Sequence, residues 1–144
     1  MSRLSVIDSD AYDVLPVYAN GRRALVVDDA MTVRLYCSQI LTKAGFGVAE
    51  AVNGLEGLEL ALQEPFDLLL VDINMQKMDG YAFVRAVRQQ PELRDIPALM
   101  MSTESASQDV ASAYAAGANF YLFKPIQPQR LVAAARLLTG VAEQ

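Results

Sequence analysis

The chain has 144 residues, with 12 Lys or Arg and 17 Asp or Glu, so its formal net charge at pH 7 is −5. This length suits one compact domain, and the acidic balance disfavours direct binding to DNA or to an anionic membrane surface. The absence of His and the single Cys exclude an internal disulfide, a Cys/His zinc site and a histidine-based catalytic triad. The apolar runs are far shorter than the ~20 residues of a membrane span, and we expect a soluble, cytoplasmic protein.

The first 22 residues show neither helical nor strand periodicity. They contain residues that favour turns, namely Pro16, Asn20 and Gly21. Three aspartates in this segment interrupt any hydrophobic stretch of the kind found in secretory signals. We therefore predict an N-terminal extension over residues 1–22, flexible or loosely docked, followed by one domain over residues 23–144.

From residue 23 onward, short apolar runs alternate with segments of helical periodicity. The predicted strands are residues 24–27, 48–51, 68–71, 98–101 and 120–123. The successive helix faces are marked by Val33, Tyr36, Cys37, Ile40 and Leu41; by Leu55, Leu58, Ala61 and Leu62; by Tyr81, Val84 and Val87; by Val110, Ala113 and Tyr114; and by Leu131, Val132, Ala135 and Leu138. Gly45 and Pro65 are predicted helix ends, and Pro128 is a predicted helix start.

This alternation predicts an α/β fold, with a doubly wound, five-stranded parallel sheet and five flanking helices. Strands that are apolar throughout are covered on both faces, which is typical of a parallel sheet between two helix layers. The crossovers should be right-handed. In such sheets the ligand site lies beyond the carboxyl ends of the strands, so we expect the functional residues directly after each strand.

Polar side chains follow four of the five predicted strands. They are Asp28 and Asp29, then Asp72 and Asn74, then Ser102 and Thr103, and finally Lys124. Taken singly, each has an ordinary structural interpretation: helix capping by the Asp pair, a turn at Asp72, a surface charge at Lys124. Their occurrence together at one edge of the sheet indicates a functional site.

Three carboxylates brought close together repel one another by several kcal/mol per pair, so the cluster favours a cation. Mg²⁺ prefers oxygen ligands and retains waters, which leaves a position for a phosphoryl oxygen. A lysine opposite the ion would keep one carboxylate ionised and would neutralise a transferred phosphoryl group. Such a carboxylate is a suitable nucleophile for forming an aspartyl phosphate.

These segments together resemble, in order and in spacing, the motifs of response-regulator receiver domains, and most of all the single-domain, CheY-like regulators of chemotaxis. The matching segments are Leu25-Val26-Val27-Asp28-Asp29, Val71-Asp72-Ile73-Asn74-Met75, Met78-Asp79-Gly80, Met101-Ser102 and Lys124-Pro125. The resemblance covers about residues 23 to 139. It implies a flavodoxin-like or CheY-like sheet with the strand order 2-1-3-4-5.

The resemblance also implies a role for each site residue. Asp72 would accept a phosphoryl group from a histidine on a partner kinase or phosphotransfer protein, assisted by Ser102 and Lys124. The implied Mg²⁺ ligands are Asp28, Asp29, Asp72 and the backbone carbonyl of Asn74. Ser102 and Tyr121 would form the conformational switch, and the residues implied to govern phosphoryl access and lifetime are Asn74, Thr103 and Glu104.

Two positions depart from the family pattern. Gln76 stands where the family usually has Pro, which should loosen the loop after Asp72, and Thr103 stands where Ala or Gly is common. Asn74 and Glu104, by contrast, match the chemotaxis regulators. The Lys124-Pro125 pair resembles the family's cis peptide.

Because only residues 140–144 follow the last predicted helix, we expect a stand-alone, monomeric regulator that acts by binding a protein partner. The resemblance places the output surface on the fourth helix, fifth strand and fifth helix, with a flagellar switch protein or a sensor kinase as the partner. A phosphorelay intermediate, a phosphate sink and a regulator of a sensor kinase remain alternatives to a chemotaxis output. An alternative of another class, a Mg²⁺-dependent aspartyl-phosphate phosphatase, needs a second carboxylate where Asn74 stands. We therefore expect no enzyme activity beyond the chain's own phosphorylation and dephosphorylation.

Overall fold

The computed structural model describes residues 19–103 and 106–142 and contains five strands that alternate with five helices. In chain order the elements are β1 (Arg23–Val27), α1 (Met31–Lys43), β2 (Gly47–Ala51), α2 (Gly54–Gln63), β3 (Leu68–Asp72), α3 (Gly80–Gln89), β4 (Ala98–Ser102), α4 (Ser107–Ala116), β5 (Phe120–Phe123) and α5 (Pro128–Thr139). All neighbouring strands are parallel, in the order β2-β1-β3-β4-β5. The predicted fold class and strand order are confirmed.

Four of the strands, β1, β3, β4 and β5, contain continuous apolar runs because helices cover both faces of the sheet, whereas β2 carries the exposed Glu50. Successive side chains of a strand point to opposite faces, so each strand contributes to two cores. One core joins the sheet to α2, α3 and α4 and includes Leu25, Val27, Leu69, Val71 and Met100. The other joins the sheet to α1 and α5 and includes Val26, Leu70, Leu99, Met101 and Leu131.

Helix α2 turns only part of its predicted face toward the sheet: Ala61 is buried and Leu58 packs against the core. Leu55 and Leu62 are 50% and 46% exposed, whereas Gly54, Gly57 and Ala61 are buried. A Cβ on Gly57 would lie 3.1 Å from Val27 and 3.2 Å from Phe83. The helix therefore packs through its smallest residues, which allow its backbone to approach the sheet closely. Tyr36 and Tyr114, also predicted on buried faces, are 43% and 45% exposed.

The chain enters the fold between the C-terminal ends of α1 and α5. The amide of Asn20 donates to the carbonyl of Gly45, 3.2 Å away, and Nε of Arg22 donates to the carbonyl of Thr139, also 3.2 Å away. Gly45 has the positive φ of +100° expected of a residue that ends a helix. The predicted flexibility of residues 1–22 stays a prediction, since residues 1–18 lie outside the described part of the chain.

Among the described residues, no helix is both long enough and apolar enough to cross a membrane.

Arg88 joins three segments at the edge of the sheet opposite the carboxyl ends of the strands. Its guanidinium donates to the carbonyls of Gly117, Arg94 and Ile96 at 2.8 to 3.0 Å. It also donates to Oδ1 of Asn119, which accepts the amide of Ala98 at the start of β4. One planar fork thus satisfies backbone acceptors from the α3–β4 connection and from the end of α4.

We expect Arg88→Lys to lower the free energy of unfolding by about 3 kcal/mol, because one ammonium cannot reach acceptors on three segments. Urea unfolding would measure the difference. The matched control is Arg85→Lys, an exposed arginine of the same helix, which should leave the stability almost unchanged. Equal losses in the two variants would contradict this role for Arg88.

Candidate functional site

The register of the sheet brings the predicted site residues to one edge. Asp28 follows β1 directly, Asp72 and Ser102 are the last residues of β3 and β4, and Lys124 follows β5. Val27 pairs with Val71, Asp72 with Met101 and Ser102 with Phe123, so these strand ends are level with one another. Parallel strands thus deliver side chains that are distant in sequence to a common point.

Three carboxylates and one ammonium form the centre of this edge. Single carboxylate oxygens of Asp28, Asp29 and Asp72 all lie within 4.8 Å of one another. Nζ of Lys124 donates to Oδ1 of Asp72 at 2.9 Å and lies 3.6 Å from Oδ2 of Asp28. Asp28 and Asp72 are buried, at 0% and 4% exposure, and Asp29 is exposed. The acids and the lysine predicted to act together are therefore in contact range.

Asp28 is held by contacts on both its side chain and its backbone. Its Oδ1 accepts the amide of Ala30 at 2.8 Å, and its carbonyl accepts Nη1 of Arg34 at 2.8 Å. Nε of Arg34 pairs with Oε1 of Glu50 at 3.0 Å. The sequence analysis missed Arg34, although a cation within the first turns of a helix opposes the helix dipole and was a usable signal.

The loop between β3 and α3 packs tightly against the site. A Cβ on Gly80 would lie 2.5 Å from the carbonyl oxygen of Asp72, so only glycine fits there. Lys77 and Met78 have φ values of 52° and 78°, in the left-handed region. The amide of Gln76 donates to Oδ2 of Asp29 over 3.4 Å. A proline at this position would lack that donor, so the departure from the family pattern adds a contact to one of the acids.

The remaining predicted residues surround this centre at different depths. Ser102 is fully buried, and its carbonyl accepts the amide of Lys124 at 2.8 Å. Asn74 and Thr103 are exposed. Glu104 lies outside the described residues. The Lys124-Pro125 bond is cis, as its resemblance to the family suggested.

Tyr121, the predicted switch aromatic, lies in the core shared with α2, α3 and α4. It is 8% exposed, and its ring meets that of Phe123 edge to face, with the centroids 5.3 Å apart. Of the exposed and buried arrangements that the switch hypothesis requires, the structure holds the buried one.

Burial dominates the electrostatics of the two inner acids. It raises the pKa of Asp28 above 3.8, although the amide of Ala30 and the charge of Lys124 act in the opposite direction. Burial likewise raises the pKa of Asp72, against the hydrogen bond from Lys124. For Lys124, burial alone would lower the pKa, but the hydrogen bond to Asp72 and the charges of both acids outweigh burial and raise it. One ammonium therefore does not compensate fully for ionising two buried carboxyls.

The cluster fits a hard divalent cation. Oδ2 of Asp28 is a buried oxygen that makes no hydrogen bond with the described residues. Such an oxygen is costly to bury unless it gains a partner, and Mg²⁺ takes carboxylate oxygens together with several waters. Asp29, which is exposed beside the buried pair, would keep such an ion in contact with solvent. Asp28, Asp29 and Asp72 are the side chains that would hold it.

Nearby, Cys37 behaves as a small buried apolar residue. It is fully buried, and burial, reinforced by the charge of Asp28, raises the pKa of its thiol to about 12. The thiol is therefore protonated at neutral pH and is not a nucleophile of this site.

We expect Asp28→Asn to increase stability in the absence of divalent cations by on the order of 1 kcal/mol. The variant keeps an oxygen for the amide of Ala30 and removes a buried charge. Because the pKa of Asp28 is raised in the folded state, wild-type stability falls relative to the variant as pH rises from 3.8 through the raised pKa. Urea unfolding in EDTA at pH values from about 4 to about 7 would show the difference widening.

Excess Mg²⁺ should stabilise the wild type more than the variant, because it binds the folded acids. Glu59→Gln, at an exposed position of α2, is the matched control and should alter neither response. A variant that is less stable than the wild type at neutral pH in EDTA would contradict the assigned cost of the buried charge.

Comparison with known proteins identifies the family to which this chain is similar. Residues 24–136 match the response regulator receiver domain family. The DNA-binding dual master transcriptional regulator RpaA of Synechocystis sp. is 34% identical over 116 residues, which are 81% of this chain and 48% of the relative. This chain thus spans about half the length of that protein.

Shorter relatives are covered more fully. A Chemotaxis protein CheY homolog of Campylobacter jejuni is 38% identical over 111 residues, 76% of this chain and 85% of the relative. The structure of chemotaxis protein CheY4 of Vibrio cholerae is 35% identical, with a TM-score of 0.78, and the match covers 81% of this chain and 98% of that one. The chain belongs to the family of response-regulator receiver domains.

Proposed function

We propose that this chain is a stand-alone response regulator that accepts a phosphoryl group on Asp72 and switches a protein-binding surface, in chemotaxis signalling. Receiver domains in general take a phosphoryl group from histidine kinases, use Mg²⁺ and act on output partners. The observation that carries the assignment to Asp72 is the hydrogen bond from Lys124 at 2.9 Å, within a cluster of three carboxylates. The CheY relatives support the chemotaxis role.

The proposed reaction is an in-line transfer from a phosphohistidine of the donor. A carboxylate oxygen of Asp72 attacks phosphorus, an oxygen–phosphorus bond forms, and the nitrogen–phosphorus bond of the donor breaks. Because the chain has no histidine, the donor is another protein or a small phosphodonor. A bound Mg²⁺ would supply charge neutralisation to the phosphoryl oxygens. Lys124, whose Nζ donates to Oδ1 of Asp72, supplies a second positive charge.

The proposed switch follows from the depth of Ser102. Its side chain is fully buried at the end of β4, next to the strand that carries Tyr121. A phosphoryl group on Asp72 offers new acceptor oxygens, to which the hydroxyl of Ser102 turns. That movement changes the space available to Tyr121 and favours one of its two arrangements. Loss of the phosphoryl group by hydrolysis resets the switch, at a rate that Asn74, Thr103 and Glu104 influence.

Beryllofluoride with Mg²⁺ should bind the wild type and not Asp72→Asn, and acetyl phosphate with Mg²⁺ should label Asp72 alone. The asparagine keeps the shape of the side chain but lacks the nucleophilic oxygen and its charge. Mass spectrometry of the intact protein and its peptides would measure the labelling. Asp95→Asn, at an exposed position before β4, is the control and should label normally. Stable labelling of Asp72→Asn at another residue would refute the assignment.

The proposed output surface consists of α4, β5 and α5, where several large apolar side chains are exposed. Phe120, Phe123 and Leu137 are 37%, 51% and 74% exposed. A groove of about 260 Å³ runs between β5 and α5, lined by Phe120, Leu137 and Arg130 among others. Exposed apolar side chains grouped in this way are typical of protein–protein contacts. Strand β5 contains Tyr121 and is followed by Lys124, so this surface is continuous in sequence with the site.

The alternative outputs within the family are a phosphorelay intermediate, a phosphate sink and a regulator of a sensor kinase. These share the same phosphorylation chemistry and differ only in the partner. The phosphatase alternative lacks the second carboxylate that it needs, because Asn74 occupies that position. We therefore propose no enzyme activity beyond the chain's own phosphorylation and its dephosphorylation by hydrolysis. We also propose a cytoplasmic location, which gives access to the kinase, and a monomeric state.

Capture assays with and without beryllofluoride should distinguish these outputs. The wild type should bind a flagellar switch protein more tightly in the beryllofluoride state than in the free state. Leu137→Ala should weaken that binding about ten-fold, because it truncates a large exposed side chain of α5. Leu55→Ala, at a 50% exposed leucine of α2, is the matched control and should bind as the wild type does.

State-dependent capture of a sensor kinase or phosphotransfer protein instead would favour the alternative outputs. Equal binding in both states to every partner tested would contradict a conformational switch.

A further inference from the structure

A groove on the surface of α1 and α5 has no assigned role in the proposed function. Its volume is about 650 Å³, and the apolar residues that line it include Ile40, Val132 and Ala133. The charged residues that line it are Lys43 and Arg136, and no acidic side chain of the described residues takes part. The groove therefore combines apolar side chains with two cations, in a chain whose net charge is −5.

The two cations are available for an ionic partner. Neither Lys43 nor Arg136 forms an ion pair with the described residues. Nε of Arg136 is buried and has no hydrogen-bond acceptor within that part of the chain. Their positions in the last turns of α1 and α5 suit the helix dipoles, but a dipole does not supply an acceptor to a buried N–H. The groove thus requires an acceptor from a further group.

The N-terminal segment 1–18 has the composition that such a groove would bind. It carries Asp8, Asp10 and Asp13 against a single Arg3. Between and around these acids it is rich in apolar residues, namely Leu4, Val6, Ile7, Val14, Leu15 and Val17. Acidic and apolar side chains in one short segment complement the cationic and apolar lining of the groove.

The point at which this segment joins the fold is at the mouth of the groove. Nδ2 of Asn20 donates to the carbonyl of Ala44, a residue that lines the groove. Arg22 contacts the carbonyl of Thr139 at the end of α5. Eighteen residues span up to roughly 60 Å when extended, whereas α1 is roughly 20 Å long, so the segment can follow the whole groove.

We propose that residues 1–18 bind in the groove between α1 and α5, with their aspartates paired to Lys43 and Arg136. The interaction tethers an acidic, apolar segment to the helix layer formed by α1 and α5. Because the segment is part of the same chain, its effective concentration at the groove is high, and weak contacts suffice to hold it. The proposal does not depend on phosphorylation of Asp72.

Paramagnetic broadening in the full-length chain would test this placement. A nitroxide would be attached to Ser9→Cys, and Cys37 would not compete because it is fully buried. We expect loss of amide signal intensity at Val132 and Ala133, and little loss at Val84 in the opposite core. Added salt should reduce the effect, since the pairing is ionic and near the surface.

Two variants isolate the charge pairing. Asp8→Asn/Asp10→Asn/Asp13→Asn changes only the segment, and Lys43→Glu changes an exposed residue of the groove, so neither should unfold the domain. Each should abolish most of the broadening at Val132 and Ala133. Arg85→Glu, an exposed cation of α3 on the other helix layer, is the matched control and should retain it.

The same experiment identifies a different occupant. In a second sample, nitroxide-bearing chains without ¹⁵N would be mixed with ¹⁵N chains that carry no nitroxide. Broadening that appears only in this mixture would assign the groove to a second copy and overturn the proposal. Absent or evenly distributed broadening in the full-length chain would overturn it as well. Because acetyl phosphate labelling of Asp72 reports the proposed function separately, either conclusion can fail while the other stands.

Discussion

The hydrogen bond between Lys124 and Asp72 joins the residue that follows β5 to the last residue of β3. It places one ammonium against two buried carboxyls, of which Asp72 is held at 2.9 Å and Asp28 at 3.6 Å. Without this cation, both acids would lie in a nonpolar strand end with no compensating charge. With it, the cluster still disfavours full ionisation, as the raised pKa values of the acids show. A further cation, or the loss of a negative charge from one of the acids, would therefore stabilise the cluster.

That electrostatic cost is compatible with folding because the rest of the domain is closely packed. Asp28 follows β1 and Asp72 ends β3, and the apolar side chains of both strands are fully buried between two helix layers. Glycines at positions 54 and 80 allow the loop that follows Asp72 to lie against the backbone of the site. A domain of this size has a stability of about 5 to 15 kcal/mol, so a cost of a few kcal/mol at one edge is tolerable but not negligible. The packing of the two cores therefore offsets the free-energy cost of burying the acids at the edge of the sheet.

The sequence predicted the strands well because continuous apolar runs in a parallel sheet leave a strong pattern. It predicted that Asp28, Asp72 and Lys124 lie together, because parallel strands bring their carboxyl ends to one edge of the sheet. Helix orientation was less predictable: α2 buries Gly57 and exposes Leu55, because close approach to Val27 and Phe83 matters more than side-chain hydrophobicity. Contacts such as that from Arg34 to the carbonyl of Asp28 depend on side-chain reach, which no periodicity records.

Helix α1 connects the acidic edge with the opposite end of the molecule. Near its start, Arg34 binds the carbonyl of Asp28. Two residues later, the hydroxyl of Tyr36 donates to the carbonyl of Ile126 over 3.1 Å, two residues beyond Lys124. At its other end, Ala44 accepts from Asn20. A helix moves as a unit, so a displacement of Lys124 toward a phosphoryl group on Asp72 would act on α1 through Tyr36. A second stable position of α1 would carry that movement to the α1–α5 groove, and we expect the amide signals of Ile40 and Val132 to shift when beryllofluoride is added.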